Sequence, residues 1–253
     1  MPLVFTSTSI GKRPYQEDTF CNAELTPDTY FMGIFDGHGG GAVSKMCEAN
    51  FVQVIKQGIQ DTPYDIGTTI HNSFYIVDNL AYHMNVPYVG STVVFCIVQK
   101  DQIWFANAGD SMIMVGFKDG SCALMSQEHK VELERDRIIR EGGFITNFDG
   151  CARINGNLNV SRAIGDHHLK RWVNCNPYVR SLSSKSKLQV KYIFLASDGI
   201  WDVINHNGIN KIVTEHMSVT GDKNIKEMLQ AITNTAQQLG STDNITCTYC
   251  DLE

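Results

Sequence analysis

Two runs that are apolar at nearly every position, Phe31-Met32-Gly33-Ile34-Phe35 and Tyr192-Ile193-Phe194-Leu195-Ala196, each lead into an aspartate followed by glycine, at Asp36-Gly37 and Asp198-Gly199. Short continuous apolar runs of this kind read as strands buried on both faces. They constrain the fold more than any other feature, because each buried strand delivers a carboxylate to its end, followed by the residue most tolerant of a sharp turn. Further carboxylates stand beside short apolar stretches at Glu17-Asp18, Asp110 and Asp243-Asn244. Carboxylates converging from several strand ends repel one another unless a cation lies among them. The pattern points to hard divalent ions, which take oxygen ligands and, with open water positions, perform hydrolysis.

The rest of the chain supplies the layers. Val4 to Ile10, Thr19 to Asn22, Thr92–Gln99, Ile103–Asn107, Ser111–Phe117, Cys122–Met125 and Asn244–Tyr249 read as strands, with Thr26-Pro27-Asp28 and Lys118-Asp119-Gly120-Ser121 as turns. Helical periodicity places a helix after the glycines at 39–41, with Ala42, Val43, Met46, Ala49, Val52 and Ile55 on its apolar face. A second helix covers Ile66 to Met84, with Ile70, Phe74, Val77, Leu80 and Ala81 inward. The composition of Glu128 to Glu141 predicts a helix stopped by Gly142-Gly143, and Phe144 to Asn159 a loop with a small hairpin. Ile209–His216 and Ile225–Leu239 read as helices. Strands in two groups, each followed by paired helices, predict two stacked sheets with helices on both outer faces.

Composition narrows the partners. The chain has 253 residues, 43% hydrophobic and 19% charged, with a formal charge of -6 and no basic run, which argues against a nucleic-acid surface. No apolar stretch reaches the ~18 residues of a membrane helix, the start is too short and insufficiently basic for a signal peptide, and Pro2 stands where a myristoylation signal needs glycine. The eight cysteines fall largely in apolar settings, so a cytoplasmic or nuclear protein with reduced thiols is expected. Cys247 and Cys250 form a lone CxxC on a strand, where their side chains point to opposite faces, so core packing is the reading.

The Asp-Gly pairs sort by context. Asp119-Gly120 lies in a hairpin turn and Asp149-Gly150 in polar loop sequence. Asp36-Gly37-His38-Gly39-Gly40-Gly41 is richer: glycines allow close approach of backbone to ligand, and His38 titrates in the range useful for proton delivery, or else faces solvent at a helix start. An esterase oxyanion segment would need a Gly-x-Ser-x-Gly nucleophile elbow, which this chain lacks. Arg13 offers a planar fork for phosphate oxygens, or a surface salt bridge. Tyr15, Tyr88, Trp172 and Tyr178 are either exposed interface aromatics or ordinary packing, and His167-His168 reads as loop.

In chain order the segments are Arg13-x-x-x-Glu17-Asp18, Phe35-Asp36-Gly37-His38-Gly39-Gly40, Gly90-Ser91-Thr92, Asn107-Ala108-Gly109-Asp110-Ser111, Ser161-Arg162-Ala163-Ile164-Gly165-Asp166, Ser197-Asp198-Gly199-Ile200-Trp201-Asp202 and Ser241-Thr242-Asp243-Asn244-Ile245-Thr246. This ordered set resembles the metal-dependent type 2C serine/threonine protein phosphatases from about residue 6 to the C-terminus. The resemblance implies an α+β fold, a four-layer αββα sandwich of two antiparallel sheets flanked by helix pairs, with the metal site at the sandwich edge. It implies two Mg²⁺ or Mn²⁺ ions and a weaker third, with Asp36 bridging the first two and the Gly37 carbonyl binding one of them. Asp198 and Asp243 would bind the other, Glu17 and Asp18 would hold metal-bound waters or complete a shell, and Asp110 with Asp198 would serve the third. Arg13 would grip the phosphate and His38 would protonate the leaving oxygen, the attack coming from a hydroxide between the two ions without a phosphoenzyme.

Phosphoprotein substrates follow, and a monomer is expected. The family's Arg after Gly-Asp-Ser is Met112 here, and its Asp-His-Lys-Pro is Glu128-His129-Lys130-Val131. Residues 1–253 are expected to form one catalytic domain, with about 127–160 as a flap over the site and no extra helical region beyond Glu253. The rival reading is a catalytically silent relative acting as a binding module. Such relatives lose metal aspartates, whereas Asp36, Asp198 and Asp243 are all present.

Overall fold

The computed structural model describes residues 2–148, 150–220 and 224–252. Asp149 lies outside them, and with it part of the turn expected at Asp149-Gly150. One five-stranded sheet orders Leu3–Ser9, Ile245–Asp251, Val190–Ala196, Met112–Phe117 and Cys122–Leu124. The other five-stranded sheet orders Tyr178–Ser183, Gln102–Ala108, Val93–Gln99, Thr29–Phe35 and Thr19–Thr26. Every pairing within both sheets is antiparallel. Helices Ala42–Asp61 and Ile66–His83 cover the second sheet, and helices His206–Thr220 and Ile225–Gln238 the first. This is the four-layer α+β sandwich that the motifs implied.

The continuous apolar runs have a simple cause. In Thr29–Phe35, Phe31 and Phe35 face the helices, while Met32 and Ile34 face the other sheet. Val93, Phe95 and Ile97 likewise meet the helices, and Val94, Cys96 and Val98 fill the space between sheets. A strand with an apolar layer on each side loses the polar alternation of a half-exposed strand. The CxxC divides the same way, with Cys247 in the helix-side core and Cys250 between the sheets.

Some local expectations shift. The buried face of Ala42–Asp61 is Val43, Ser44, Cys47, Phe51 and Ile55, whereas Ala42 and Ala49 are exposed. The large Phe51 ring dictates the rotation: it lies 5.6 Å from Phe35, 5.3 Å from Phe74 and 5.6 Å from Phe95. Leu80, expected inward, is exposed on Ile66–His83. The helix expected over Glu128 to Glu141 contracts to Arg135–Arg140. Residues 128–130 are extended instead, because His129 N–H donates to Gly109 O at 3.0 Å, Ser161 N–H donates to His129 O at 2.8 Å, and Lys130 bridges to Val160. Residues around 131–173 gather a small core of their own, including Val131, Ile138, Ile154, Val160 and Leu169, beside the hairpin of Ile145–Phe148 and Cys151–Ile154. Phe51→Ala removes the centre of the aromatic cluster and should cost about 3–5 kcal/mol, read as a lower urea midpoint. A change below about 1 kcal/mol would mean the cluster does not hold helix to sheet.

Candidate active site

Strand ends from both sheets meet at one edge of the sandwich. Asp36 follows Thr29–Phe35, Asp110 follows Gln102–Ala108 after a turn at Gly109, and Asp18 precedes Thr19–Thr26, all from the second sheet. Asp198 follows Val190–Ala196, and Asp243 precedes Ile245–Asp251, both from the first. Asp36, Asp110 and Asp198 each present a carboxylate oxygen, and these oxygens lie within 4.8 Å of one another. Asp18 sits buried beside them, accepting from Ser197 Oγ at 2.9 Å. Gly37 permits this closeness: a Cβ there would stand 2.6 Å from Glu17 O and 2.8 Å from Ser44 Oγ.

The electrostatics follow from this crowding. Desolvation by the surrounding protein, then repulsion from the neighbouring carboxylates, holds Asp36 and Asp198 well above the ordinary carboxylate range, although both keep some surface at the cleft. Burial pushes Asp18 to about 6 against the hydrogen bonds of Thr246 and Ser197. Burial also pushes Asp110 to about 6, partly offset by Lys130. Asp18 Oδ1 and Asp110 Oδ2 are buried without a hydrogen-bond partner. Hard oxygen donors, lifted affinity for positive charge and two unpaired buried oxygens together fit a divalent cation.

A cleft of about 420 Å³ opens above these groups, lined by Arg13, Glu17, Gly37, His38, Asp243, Arg153 and Asn157 to Val160, among others. The candidate metal, phosphate and acid residues thus gather here: Asp36, Asp110 and Asp198 at the centre, Asp18 behind them, and Arg13, Glu17, Gly37, His38 and Asp243 on the walls. Asp243 stands outside the tight triad, held by Arg13 Nη2 at 2.6 Å. His38 Nε2 lies 2.6 Å from Asp166 Oδ2, and that carboxylate overrides the lowering effect of burial to leave His38 raised.

Sequence reasoning gave no role to several residues that hold the site. Asn244 accepts from Glu17 N–H at 2.8 Å and donates to Ile10 O and Tyr15 O at 2.9 and 3.0 Å, which pins the loop carrying Arg13. Buried His129 accepts from Gly109 N–H at 3.2 Å, and burial lowers it to about 4, so it stays neutral beside the Asp110 turn. Asp166 and Asn244 do sit inside quoted motifs, and that adjacency was the only signal.

Comparison with known proteins agrees with this geometry. A family model for Protein phosphatase 2C matches residues 9–245. The Probable protein phosphatase 2C 32 of Oryza sativa subsp. japonica is 30% identical, over 90% of this chain and 59% of its own length. Bos taurus Protein phosphatase 1L is 32% identical, over 82% of this chain and 62% of its own. The chain therefore spans roughly three-fifths of these relatives. Among solved structures, a C. elegans sex-determining protein superposes with a TM-score of 0.88 at 24% identity, covering 100% of this chain and 65% of that one. Serine-threonine phosphatase 2C from Toxoplasma gondii superposes with a TM-score of 0.84 at 23% identity, covering 99% and 94%. These two likenesses bear on the fold. On the family match, the chain belongs to the protein phosphatase 2C family.

The raised carboxylates have a thermodynamic consequence. Each binds its proton more tightly in the folded chain than in the unfolded one, where carboxyls titrate near 4. Their destabilising effect is therefore absent below about pH 4 and complete only once pH exceeds the folded values. His129, lowered to about 4, loses stability only as pH falls below its unfolded value of about 6.5, so it is silent in a window from about pH 6.5 to 8. In that window Asp36 and Asp198, held well above the ordinary carboxylate range, and His38, whose raised imidazolium loses its stabilising effect as pH climbs, should together lower the melting temperature of chelator-treated protein as pH rises, and Mn²⁺ or Mg²⁺ should restore it with proton release. Asp36→Asn should reduce the slope, leaving the His38 part, and abolish the metal response. A metal-free melting temperature that climbs across the window would contradict this account.

Proposed function

We propose that this chain is a protein serine/threonine phosphatase that hydrolyses phosphoserine and phosphothreonine in proteins, using Mg²⁺ or Mn²⁺. The carboxylate triad of Asp36, Asp110 and Asp198 on the cleft floor carries the reading, because it offers hard oxygen ligands at the base of an open cleft. Asp36, the Gly37 carbonyl, Asp198 and Asp243 would hold two ions, with Glu17 and Asp18 completing the shell and Asp110 with Asp198 holding a weaker third. When bound, divalent ions supply Lewis acidity and a water-derived nucleophile near neutral pH.

The chain's own residues then divide the work. Arg13 is half exposed at the cleft wall with Nη2 held by Asp243 at 2.6 Å, and its remaining N–H groups would bind phosphate oxygens, where its charge would offset the charge shifting toward them during in-line displacement. His38 stands on the same wall to protonate the leaving serine or threonine oxygen, a contribution of about 10²–10⁴-fold for a poor leaving group. Asp18 is anchored by Ser197, which fixes one side of the carboxylate cluster. Water rather than a thiol or serine hydroxyl as nucleophile is favoured by the lining, since no described cysteine or serine lines the cleft. The buried thiols are moreover held protonated by desolvation, with Cys247 and Cys250 pushed up to about 12. A silent binding module would not need the full carboxylate set, and this chain retains it.

Phosphate release from a phosphothreonine peptide should require Mn²⁺ or Mg²⁺, stop in excess chelator and return when metal is restored. Asp36→Ala and Asp198→Ala should reduce turnover to background while keeping the native circular dichroism. Arg13→Ala should lower kcat/KM by about 10- to 100-fold, as expected for losing a hydrogen bond to a charged group. Folded protein with no turnover in either metal would instead support the binding module.

A further inference from the structure

His38 belongs to a second, much smaller sheet. The two-residue strand Gly37–His38 pairs with Gly90–Ser91, which pairs with Ile164–Gly165, and the register places Gly90 opposite both His38 and Gly165. Asp166 follows at once, in the left-handed region at φ 49, and buries its carboxylate against His38 Nε2 at 2.6 Å. A Cβ at Gly90 would overlap both Asp166 Oδ2 and His38 Nε2, so the central strand is hollowed out where the pair sits.

The unusual backbone of Asp166 is held from several sides. Asp166 N–H donates to Val89 O at 3.0 Å, and Leu169 N–H donates to Asp166 O at 2.7 Å. Gly165 N–H donates to Asp78 Oδ1 at 2.9 Å, and Lys170 Nζ, bonded to the same carboxylate at 2.5 Å, also reaches Gly165 O at 3.0 Å. Non-glycine residues held in this region by surrounding contacts concentrate at functional sites. Because a carboxylate only accepts, Nε2 of His38 carries the hydrogen in this pair. Among the described residues, His38 Nδ1 has no hydrogen-bond partner and is not among the buried unpaired atoms, so it opens on the cleft that His38 lines.

We propose that Asp166 is the positioning residue for His38: across the three-stranded mini-sheet it fixes Nε2 as donor and presents Nδ1 to the leaving oxygen. This rests on His38 acting as the acid. As the P–O bond breaks, the proton passes from Nδ1 to the departing oxygen, the N–H electron pair stays on the imidazole, and Nε2 keeps its proton against Asp166. Solvent then returns a proton to Nδ1.

The test compares phenyl phosphate, a poor leaving group, with p-nitrophenyl phosphate, whose leaving group needs little help. Asp166→Asn should slow the first by about 10- to 100-fold and the second only a few-fold, because an amide can also donate and release the tautomer. Asp166→Glu should recover part of the loss, and Asp166→Asn added to His38→Ala should cost nothing further. If His38→Ala keeps the split between substrates while Asp166→Asn slows both equally, the positioning role is overturned and the acid stands. If His38→Ala itself shows no split, the acid reading fails and this proposal fails with it. Side-chain ¹⁵N shifts of His38 in metal-free protein give a readout independent of turnover. With the ring neutral they should report Nε2–H in the wild type and a changed tautomer in Asp166→Asn and Gly90→Ala; unchanged shifts in folded Asp166→Asn overturn the proposal.

Discussion

Desolvation of carboxylates crowded at strand ends, with the repulsion among them, governs this molecule. Asp18, Asp36, Asp110 and Asp198 are fixed by strands that are hydrogen-bonded within their sheets and packed between apolar layers. A loop could relax by turning its acids toward water. A strand end locked between two cores cannot, so burial first, and repulsion after it, appears as raised proton affinity in all of these groups. The same rigidity gives the site its use, since donors fixed before a cation arrives need little reorganisation to meet it. Stability is lower where the ligand belongs, and the sandwich compensates with its three apolar layers.

The floor of the site was legible because its signal is local. An apolar run and the aspartate after it are adjacent in sequence, so Phe31 to Asp36 and Tyr192 to Asp198 could be read directly. The edge strand Tyr178–Ser183 was missed because its residues are partly or fully exposed and show no clean alternation. Two-residue strands such as Gly90–Ser91 carry no periodicity at all. Glu128 to Glu141 has the composition of a helix, but tertiary bonds from Gly109 and Ser161 hold its first residues extended, and local propensity yields to them. Helix Ala42–Asp61 was found with its face slightly rotated, because hydropathy counts Ala49 and Phe51 alike as apolar while packing is decided by the larger ring.

What sequence could not show is which distant side chains meet. His38 and Asp166 are separated by 128 positions, and Asn244 and Glu17 by 227. Their motifs marked both as members of a set, but pairing needs three dimensions. The family match covers residues 9–245 and so accounts for why the motifs occur together, while the hydrogen bonds account for what each one holds.

The site is therefore built in two tiers with different physics. The floor rests on long strands and two sheets. The rim rests on short elements, each pinned by one or two side chains: Asn244 for the loop bearing Arg13, Asp166 and Asp78 for the mini-sheet bearing His38, and His129 for the junction of residues 128–130 with the Asp110 turn. Segments with few buried apolar contacts open at lower free energy than a core does. The buried carboxylates of the floor thus sit where the chain is stiffest, and Arg13 and His38 where it is easiest to adjust. Positional error in the floor is suppressed by packing, whereas in the rim it is suppressed by individual hydrogen bonds. For that reason single polar residues outside the carboxylate cluster, rather than the cores, govern how well Arg13 and His38 are aimed.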